Sequence, residues 1–237
     1  MPEALGIAIV GAECSGKTSL AIALAHRLAA ELGCRVACVG EHLRDWCDEQ
    51  GRTPLQHEQA AIMAAQHQRI SAAAANHDIV VCDTTALMTA VYSLQVFGDS
   101  SLLAAAADLH RQCSTVTLLT ALDLPWVADG IQRDGAHVQR PVDAALRSAL
   151  QSHGIAFSVV GGQGERRLDR AMAALAPQLR GQRGLRSLPS APASTTASHG
   201  MFTRLSASDA GALWACECCL PDEERALRRL LQASQLQ

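Results

Sequence analysis

The chain has 237 residues, of which 49% are apolar and only 3% aromatic, and its formal net charge is −3 at pH 7. This length suits one sizeable α/β domain with a small appendix. The charge gives no electrostatic drive toward nucleic acid or anionic membranes, and no run reaches the roughly 18 apolar residues of a membrane span. We therefore expect no nucleic-acid partner and no membrane insertion.

Short apolar runs alternate with helical patterns along most of the chain. The runs predict buried strands over residues 6–10, 35–40, 78–83, 114–121 and 156–160. The helical patterns predict helices over residues 18–33, 54–76, 85–97, 101–111, 137–153 and 166–179. This alternation predicts βαβ units, and hence an α/β three-layer sandwich with a five-stranded, mostly parallel sheet.

Composition divides the chain into three parts. Residues 1–180 carry the predicted sandwich, and residues 181–200 are rich in Gly, Ser, Pro, Ala and Thr, as a linker is. Residues 201–237 form a small C-terminal appendix that ends in a charged amphipathic helix. We expect this helix to dock on the core or on a partner subunit. The second arrangement would make the protein a homo-oligomer.

A glycine-rich loop, GAECSGKT at residues 11–18, lies between the first predicted strand and the first predicted helix. It fits the pattern G-x-x-x-x-G-K-[ST] in the strand–loop–helix context that this pattern requires. The two glycines allow close backbone approach, and the helix start attracts anions. The loop predicts a P-loop NTPase sandwich in which the phosphates are bound by Gly11, Ala12, Glu13, Cys14, Ser15, Gly16, Lys17 and Thr18.

Lys17 is the only lysine of the chain, beside 19 arginines. An ammonium is a compact charge on a flexible stem, whereas a guanidinium is a broad planar fork. A site that needs an ammonium and cannot hold a guanidinium explains why the chain uses lysine once. We predict that Lys17 reaches the β- and γ-phosphates of ATP and acts in catalysis, and that the Thr18 hydroxyl ligates Mg²⁺.

Two carboxylates follow predicted strands, where parallel sheets place their ligands. Asp83 ends the third strand, and this position predicts that Asp83 is a catalytic magnesium ligand. The alternative is that Asp83 caps the next helix. Glu41 follows the second strand, and this position predicts that its carboxylate orients an acceptor hydroxyl and takes its proton. The alternative for Glu41 is a helix N-terminal acid with Arg44 as its i+3 partner.

An arginine-bearing loop follows the fourth strand, at residues 124–140. As a lid it would exclude water and bring cations to the γ-phosphate. Arg133 is the catalytic candidate in this lid and Arg140 a nucleotide contact; the alternative is a surface loop with solvated arginines. Because Lys17 is the only lysine, the guanine-reading pattern [NT]-K-x-D of GTPases is absent, which favours a small-molecule kinase.

Several segments in order resemble the nicotinamide riboside kinase domain of the NadR type, in the P-loop kinase superfamily. They are GAECSGKTSLAIALAH (11–26), GEHLRDW (40–46), AAQHQRI (64–70), VVCDTTALMTAVYSLQVFG (80–98) and VTLLTALDLPWVADGIQRDG (116–135). The order of E-x-x-R, D-T and W-V-x-D-G-x-x-R is more specific than the first motif. The resemblance implies a cytoplasmic, ATP- and Mg²⁺-dependent kinase of a nucleoside-like molecule in NAD metabolism, with nicotinamide riboside the first candidate.

The resemblance also implies roles for single residues. Glu41 matches the acidic residue that faces the acceptor riboside, and Arg44 matches an arginine near phosphate or substrate. Asp83 and Thr84 match the D-T pair, which makes Thr84 a substrate contact. The lid positions are Trp126, Asp129, Gly130 and Arg133. Because the chain begins at the kinase strand, we expect neither adenylyl transfer nor DNA binding.

Three features leave alternatives open. Residues 67–69 either line the acceptor pocket or form a solvated helix face. The nine cysteines are odd in number and suit free thiols in a reducing cytoplasm. For Cys216, Cys218 and Cys219, one interpretation is a metal or redox site and the other is a short packed segment. The appendix also supports a second function, a nucleotide-dependent regulatory or ATPase module that acts through a protein partner.

Overall fold

Five strands form one sheet in the order β2-β3-β1-β4-β5, and every neighbouring pair is parallel. The structure is a computed structural model that describes residues 4–126 and 136–182. The predicted α/β sandwich with a five-stranded sheet is confirmed; the linker and the appendix lie outside the described residues. The strands are β1 (Leu5–Val10), β2 (Val36–Val39), β3 (Ile79–Asp83), β4 (Val116–Thr120) and β5 (Ser158–Val160).

Helices connect the strands. They are α1 (Lys17–Leu32), α2 (His42–Gln50), α3 (Gln59–Ala74), α4 (Ala86–Phe97), α5 (Leu103–Cys113), α6 (Ala136–Ser152) and α7 (Glu165–Gln182), with a short 3-10 helix at Gln56–Glu58. Sequence analysis assigned no element to α2, because its polar sequence buries only Cys47. Within the described ranges, no helix combines the length and apolar character needed to cross a membrane.

Alternating side chains of the central strand β1 divide the core into two layers. Ile7 and Ile9 pack with α1 and α7 on one face of the sheet. Val10 packs on the other face with residues of α3, α4 and α6. The three central strands, β1, β3 and β4, are buried along their whole length, which is why their sequences are nearly continuous apolar runs.

Helix α3 extends beyond the carboxyl edge of the sheet. Gln66 lies at that edge, because its side chain bonds the backbone at Gly40 and His42, just after β2. Gln59 lies two turns earlier, about 10 Å farther out along the helix. The amide of Gln56 bonds the Asp99 carboxylate, beyond the end of α4, at 3.3 Å. The segment before α3 and the segment after α4 are thus bonded to each other.

Candidate active site

The phosphate loop, residues 11–16, joins the end of β1 to the start of α1. Gly16 has a left-handed backbone with a φ of 78°, and Cys14 has a φ of 53°. Left-handed turns of this kind direct successive N–H groups into a concave anion site. The loop therefore presents backbone donors at the N-terminus of α1, where the helix dipole also favours negative charge.

Thr120, the last residue of β4, packs against the back of the phosphate loop. Its Oγ1 lies 2.6 Å from the Ser15 Oγ and donates to the Val10 carbonyl at 3.3 Å. A Cβ on Gly11 would lie only 2.0 Å from the same Oγ1, so this close approach requires glycine. Sequence analysis missed Thr120, although a threonine that ends an apolar strand at the crevice is a readable signal.

Lys17 and Thr18 open α1 and face Asp83 at the end of β3. Asp83 is buried, and burial, assisted by the negative charge of Glu41, raises its pKa to about 6. Lys17, a hydrogen bond from Thr18 and the charge of Arg44 act in the opposite direction. Four predicted site residues therefore lie close enough to Asp83 to act on its carboxylate, and the fold brings all five into one site.

Polar atoms of this site suit phosphate and a hard cation. The Lys17 ammonium, 6% exposed, donates to the Ala12 carbonyl of the phosphate loop at 3.0 Å. The Oδ1 of Asp83 is buried and accepts no hydrogen bond in the structure. A carboxylate beside the Thr18 hydroxyl offers the oxygen ligands that Mg²⁺ prefers. Thr18 and Asp83 therefore fit a magnesium ion, whose other ligands would be phosphate oxygens and water.

Two threonines follow Asp83. Thr84 is buried and has a φ of 71°, an unusual backbone for a β-branched residue and one that costs energy. Its N–H donates to the Ile9 carbonyl at 3.0 Å. Thr85 caps α4 by accepting from the Leu87 N–H. The cap is therefore Thr85, so the alternative role of Asp83 as a helix cap is wrong.

A buried histidine supports this turn from behind. The Nδ1 of His110 lies 2.8 Å from the Thr85 Oγ1, and its Nε2 lies 2.8 Å from the Thr117 Oγ1. Burial, with a smaller effect of the Arg111 charge, lowers the pKa of His110 to about 4. The imidazole is therefore neutral at pH 7 and links α4, α5 and β4 through hydrogen bonds alone.

Glu41 stands between β2 and α2. Its carboxylate pairs with the Arg44 guanidinium at 3.2 Å, and the two side chains are 10% and 24% exposed. Gln66 holds the backbone on both sides of Glu41: its Oε1 accepts from the His42 N–H at 2.6 Å, and its Nε2 donates to the Gly40 carbonyl at 3.2 Å. The i+3 pair is therefore present, and Gln66, which sequence analysis missed, orients it.

Residues 67–69 follow Gln66 on α3 but are not buried as Gln66 is. Gln68 and Arg69 are exposed, and Arg69 pairs with Asp45 at 2.5 Å. His67 is half-buried, with its Nε2 3.4 Å from the Ser71 Oγ. The solvated face is therefore correct for Gln68 and Arg69. The buried side of the same helix carries the amides instead, since Gln59 is also 4% exposed and its Oε1 accepts no hydrogen bond.

The predicted lid is described only at its two ends. Arg133, Asp129 and Gly130 lie outside the described residues. At the first end, Trp126 is half-buried and its indole N–H makes no hydrogen bond. At the second end, Arg140 is exposed on α6. The adjacent Gln139 donates to the Glu13 carbonyl at 2.8 Å, which attaches the start of α6 to the phosphate loop.

Within the described ranges, the six cysteines are thiols that form no disulfide bond with one another. Burial raises the pKa of Cys47 and Cys113 to about 11 and that of Cys82 further. Thiols with raised pKa values are poor nucleophiles and poor metal ligands at neutral pH. Cys47, Cys82 and Cys113 therefore serve packing, and the cluster at residues 216–219 lies outside the described part of the chain.

The sequence matches the family model of an AAA domain over residues 6–167, more than half of the chain. The chain belongs to this family of P-loop domains. The match begins in β1 and ends in α7, so it includes the phosphate loop, both carboxylates and the whole sheet. No curated protein matches the sequence.

Solved structures with the same fold include P-loop kinases. A NadR protein in complex with NAD and AMP-PNP superposes with a TM-score of 0.55 at 17% identity, over 73% of this chain and 49% of that one. NadR in complex with NR gives a TM-score of 0.57 at 17% identity, over 73% and 50%. Thymidylate kinase from Ehrlichia chaffeensis gives a TM-score of 0.51 at 15% identity, over 75% and 100%.

These likenesses confirm a kinase-like, nucleotide-binding P-loop fold. The predicted resemblance to NadR is confirmed at the level of the fold. The chain spans about half the length of the NadR chains that it matches.

Proposed function

We propose that this protein is an ATP-dependent kinase that phosphorylates a hydroxyl of a nucleoside-like small molecule, with nicotinamide riboside the first candidate. The observation that carries the proposal is that Lys17 and Glu41 both lie close enough to the buried Asp83 to act on its carboxylate, at the carboxyl edge of the sheet. A cation for phosphate, a carboxylate for a metal and a second carboxylate are together in one crevice. NadR, which shares the fold, has been solved with AMP-PNP and with NR.

The donor side of the site suits a nucleoside triphosphate. The N–H groups of the phosphate loop and the Lys17 ammonium would bind the β- and γ-phosphates, because both present positive charge at the start of α1. Thr18 and Asp83 would hold Mg²⁺, which neutralises charge on phosphate oxygens when it is bound. A cleft of about 510 Å³ beside the loop after β5 offers room for the base; it is lined by Asp123, Gly162, Gln163, Glu165, Arg166 and Arg170.

The acceptor side suits a hydroxyl group. The Glu41 carboxylate would accept a hydrogen bond from the acceptor hydroxyl and take its proton as the new O–P bond forms. Arg44 limits the freedom of that carboxylate by pairing with it at 3.2 Å. Thr84 follows Asp83 and would contact the substrate from the β3 side. Catalysis would then rest on positioning and charge, since phosphoryl transfer needs little covalent help from the protein.

The lid arginines complete this proposal. Arg133 would approach the γ-phosphate, and Arg140 would contact the nucleotide from the start of α6. Support for Arg140 comes from its neighbour Gln139, which touches the phosphate loop at Glu13. A cation near the γ-phosphate stabilises the charge that spreads over its oxygens in the transition state.

ATP consumption with and without nicotinamide riboside tests the proposal. A kinase forms ADP in proportion to the added acceptor, together with a product heavier by one phosphoryl group, which mass spectrometry identifies. A panel of other nucleosides follows in the same assay. ATP binding without stimulation by any acceptor would reject the kinase assignment and favour a regulatory or ATPase module that acts through a partner.

A further inference from the structure

Arg167, in the first turn of α7, carries a guanidinium that is fully buried beneath the phosphate loop. Its Nη1 donates to the Ser15 carbonyl, and its Nε donates to the Gly162 carbonyl at 2.8 Å. Its Nη2 donates to an Asp123 carboxylate oxygen and, at 3.4 Å, to the Ala121 carbonyl. One side chain thus contacts three separate segments of the chain.

These segments are the phosphate loop, the turn after β4 and the turn after β5. They follow three neighbouring strands at the carboxyl edge of the sheet. The other oxygen of Asp123 accepts from the Gly162 N–H, so the two turns are also bonded to each other. Arg167 and Asp123 therefore form one connected network that fixes the positions of all three segments.

Packing around this network leaves little freedom. A Cβ on Gly16 would lie 2.8 Å from the Arg167 Nη1, and a Cβ on Gly161 would lie 2.8 Å from an Asp123 oxygen. Apolar residues of α7, such as Leu168 and Ala171, fill the neighbouring core. An apolar side chain would pack there without the cost of a buried charge. A guanidinium at this position is therefore explained by its ability to donate hydrogen bonds in several directions at once.

The same network forms a wall of the open cleft of about 510 Å³. Asp123 and Gly162 line that cleft, and Ser15 belongs to the phosphate loop. A nucleoside triphosphate with its phosphates in the loop and its base in the cleft would span both. The distance between the two binding regions then depends on the network between them.

We propose that Arg167 is a positioning residue that holds the phosphate loop and the cleft after β5 in the arrangement that binds a nucleoside triphosphate as one ligand. The inference rests on nucleotide binding from the proposed function and does not depend on the identity of the acceptor. Arg167 acts through the backbone at Ser15 and Gly162, and through Asp123. Its removal should therefore weaken binding of the whole nucleotide more than binding of a bare polyphosphate.

Binding of a fluorescent ATP analogue, with ATP and inorganic tripolyphosphate as competitors, tests this inference. We expect Arg167→Met and Arg167→Lys to raise the Kd of ATP by roughly 10- to 100-fold, the effect of losing a hydrogen-bonded charge. The Kd of tripolyphosphate should change much less. Arg180→Met, an exposed arginine of the same helix, should leave both Kd values unchanged. Equal weakening of ATP and tripolyphosphate, or no weakening at all, would overturn the proposal.

Two further measurements separate positioning from a purely structural role. Guanidinium ion added to Arg167→Ala should restore ATP affinity if the missing group is the fork itself, and a failure of rescue in a folded variant contradicts the proposal. If the Arg167 variants do not fold, Asp123→Asn decides, because the Asp123 side chain is 38% exposed and asparagine has nearly the same shape. It should raise the Kd of ATP selectively, and an unchanged Kd would reject the network. Absence of kinase activity with every acceptor would reject the proposed function and leave these binding results valid.

Discussion

The candidate site has a donor half, formed by the phosphate loop with Lys17, Thr18 and Asp83, and an acceptor half around Glu41. The two halves are held in different ways. In the donor half, Thr120 and Arg167 bond the phosphate loop to segments more than 100 residues away in the sequence. In the acceptor half, Gln66 of α3 holds only the short stretch around Glu41. Gln59 of the same helix keeps a buried amide oxygen that accepts no hydrogen bond.

This difference follows from what each half would bind. Every nucleoside triphosphate presents the same phosphates, so a rigid loop held from behind suits all of them. An acceptor is recognised by its particular polar groups, and buried polar atoms of the protein gain most when a ligand supplies their partners. We infer that the backbone of the donor half is organised before binding, with Mg²⁺ as the expected partner for the Asp83 Oδ1, and that the acceptor completes the acceptor half.

The largest effect is expected in the donor half, at Lys17. Lys17→Met removes a transition-state cation and should lower kcat by about 10³-fold. Lys17→Arg should lower it nearly as much, because the ammonium is 6% exposed between the Ala12 carbonyl and the Asp83 side of the site, where a broader fork does not fit. Steady-state ADP formation measures both variants, and wild-type turnover by Lys17→Arg would show that the loop accepts a guanidinium.

A second test addresses the support behind the turn that follows β3, at His110. The unfolded chain binds a proton at this residue below about pH 6.5, whereas the folded chain binds it only below about pH 4. The contribution of His110 to stability should therefore fall as the pH falls through this window, by about 3 kcal/mol for a shift of this size, whereas Asp83, whose pKa is raised to about 6 in the folded chain, contributes in the opposite direction. Urea unfolding of the wild type and of His110→Gln at several pH values measures it. An equally steep pH dependence in the variant would contradict the assignment to His110.

The third test separates the halves, at Glu41. Glu41→Gln removes the group that would take the hydroxyl proton and should lower acceptor-dependent kcat by about 10²-fold. The Kd of ATP should stay unchanged, because Glu41 belongs to the acceptor half. Glu49→Gln, at an exposed position on α2, the helix that follows Glu41, is the matched control. Normal turnover by Glu41→Gln would remove this residue from the mechanism.

The smallest effect is expected at Gln66, which touches no substrate in this account. Gln66→Met keeps the volume but removes both bonds to the backbone around Glu41, and should raise the KM of the acceptor about tenfold. The KM of ATP should not change, and Gln68→Met, on the exposed face of α3, should resemble the wild type. A rise in the KM of ATP instead would show that the two halves are not separate.

Much of the fold and part of the site could be predicted from sequence, and the reasons are physical. Apolar runs and the loop pattern depend on neighbouring residues, so the five strands, the phosphate loop and the places of Glu41 and Asp83 were found locally. Thr120, Gln66 and Arg167 could not be found in that way, because their roles depend on contacts across 24 to 152 positions. Helix α2 was missed because only Cys47 among its residues is buried.

The central claim is that one crevice transfers a phosphoryl group from a nucleotide in the donor half to a hydroxyl in the acceptor half. The most direct test follows labelled γ-phosphate from ATP in a single turnover of the wild-type protein with nicotinamide riboside. The account predicts that the label appears on the riboside and that Glu41→Gln prevents this while still binding ATP. Release of the label as inorganic phosphate at the same rate with and without the riboside and the other nucleosides would contradict the claim.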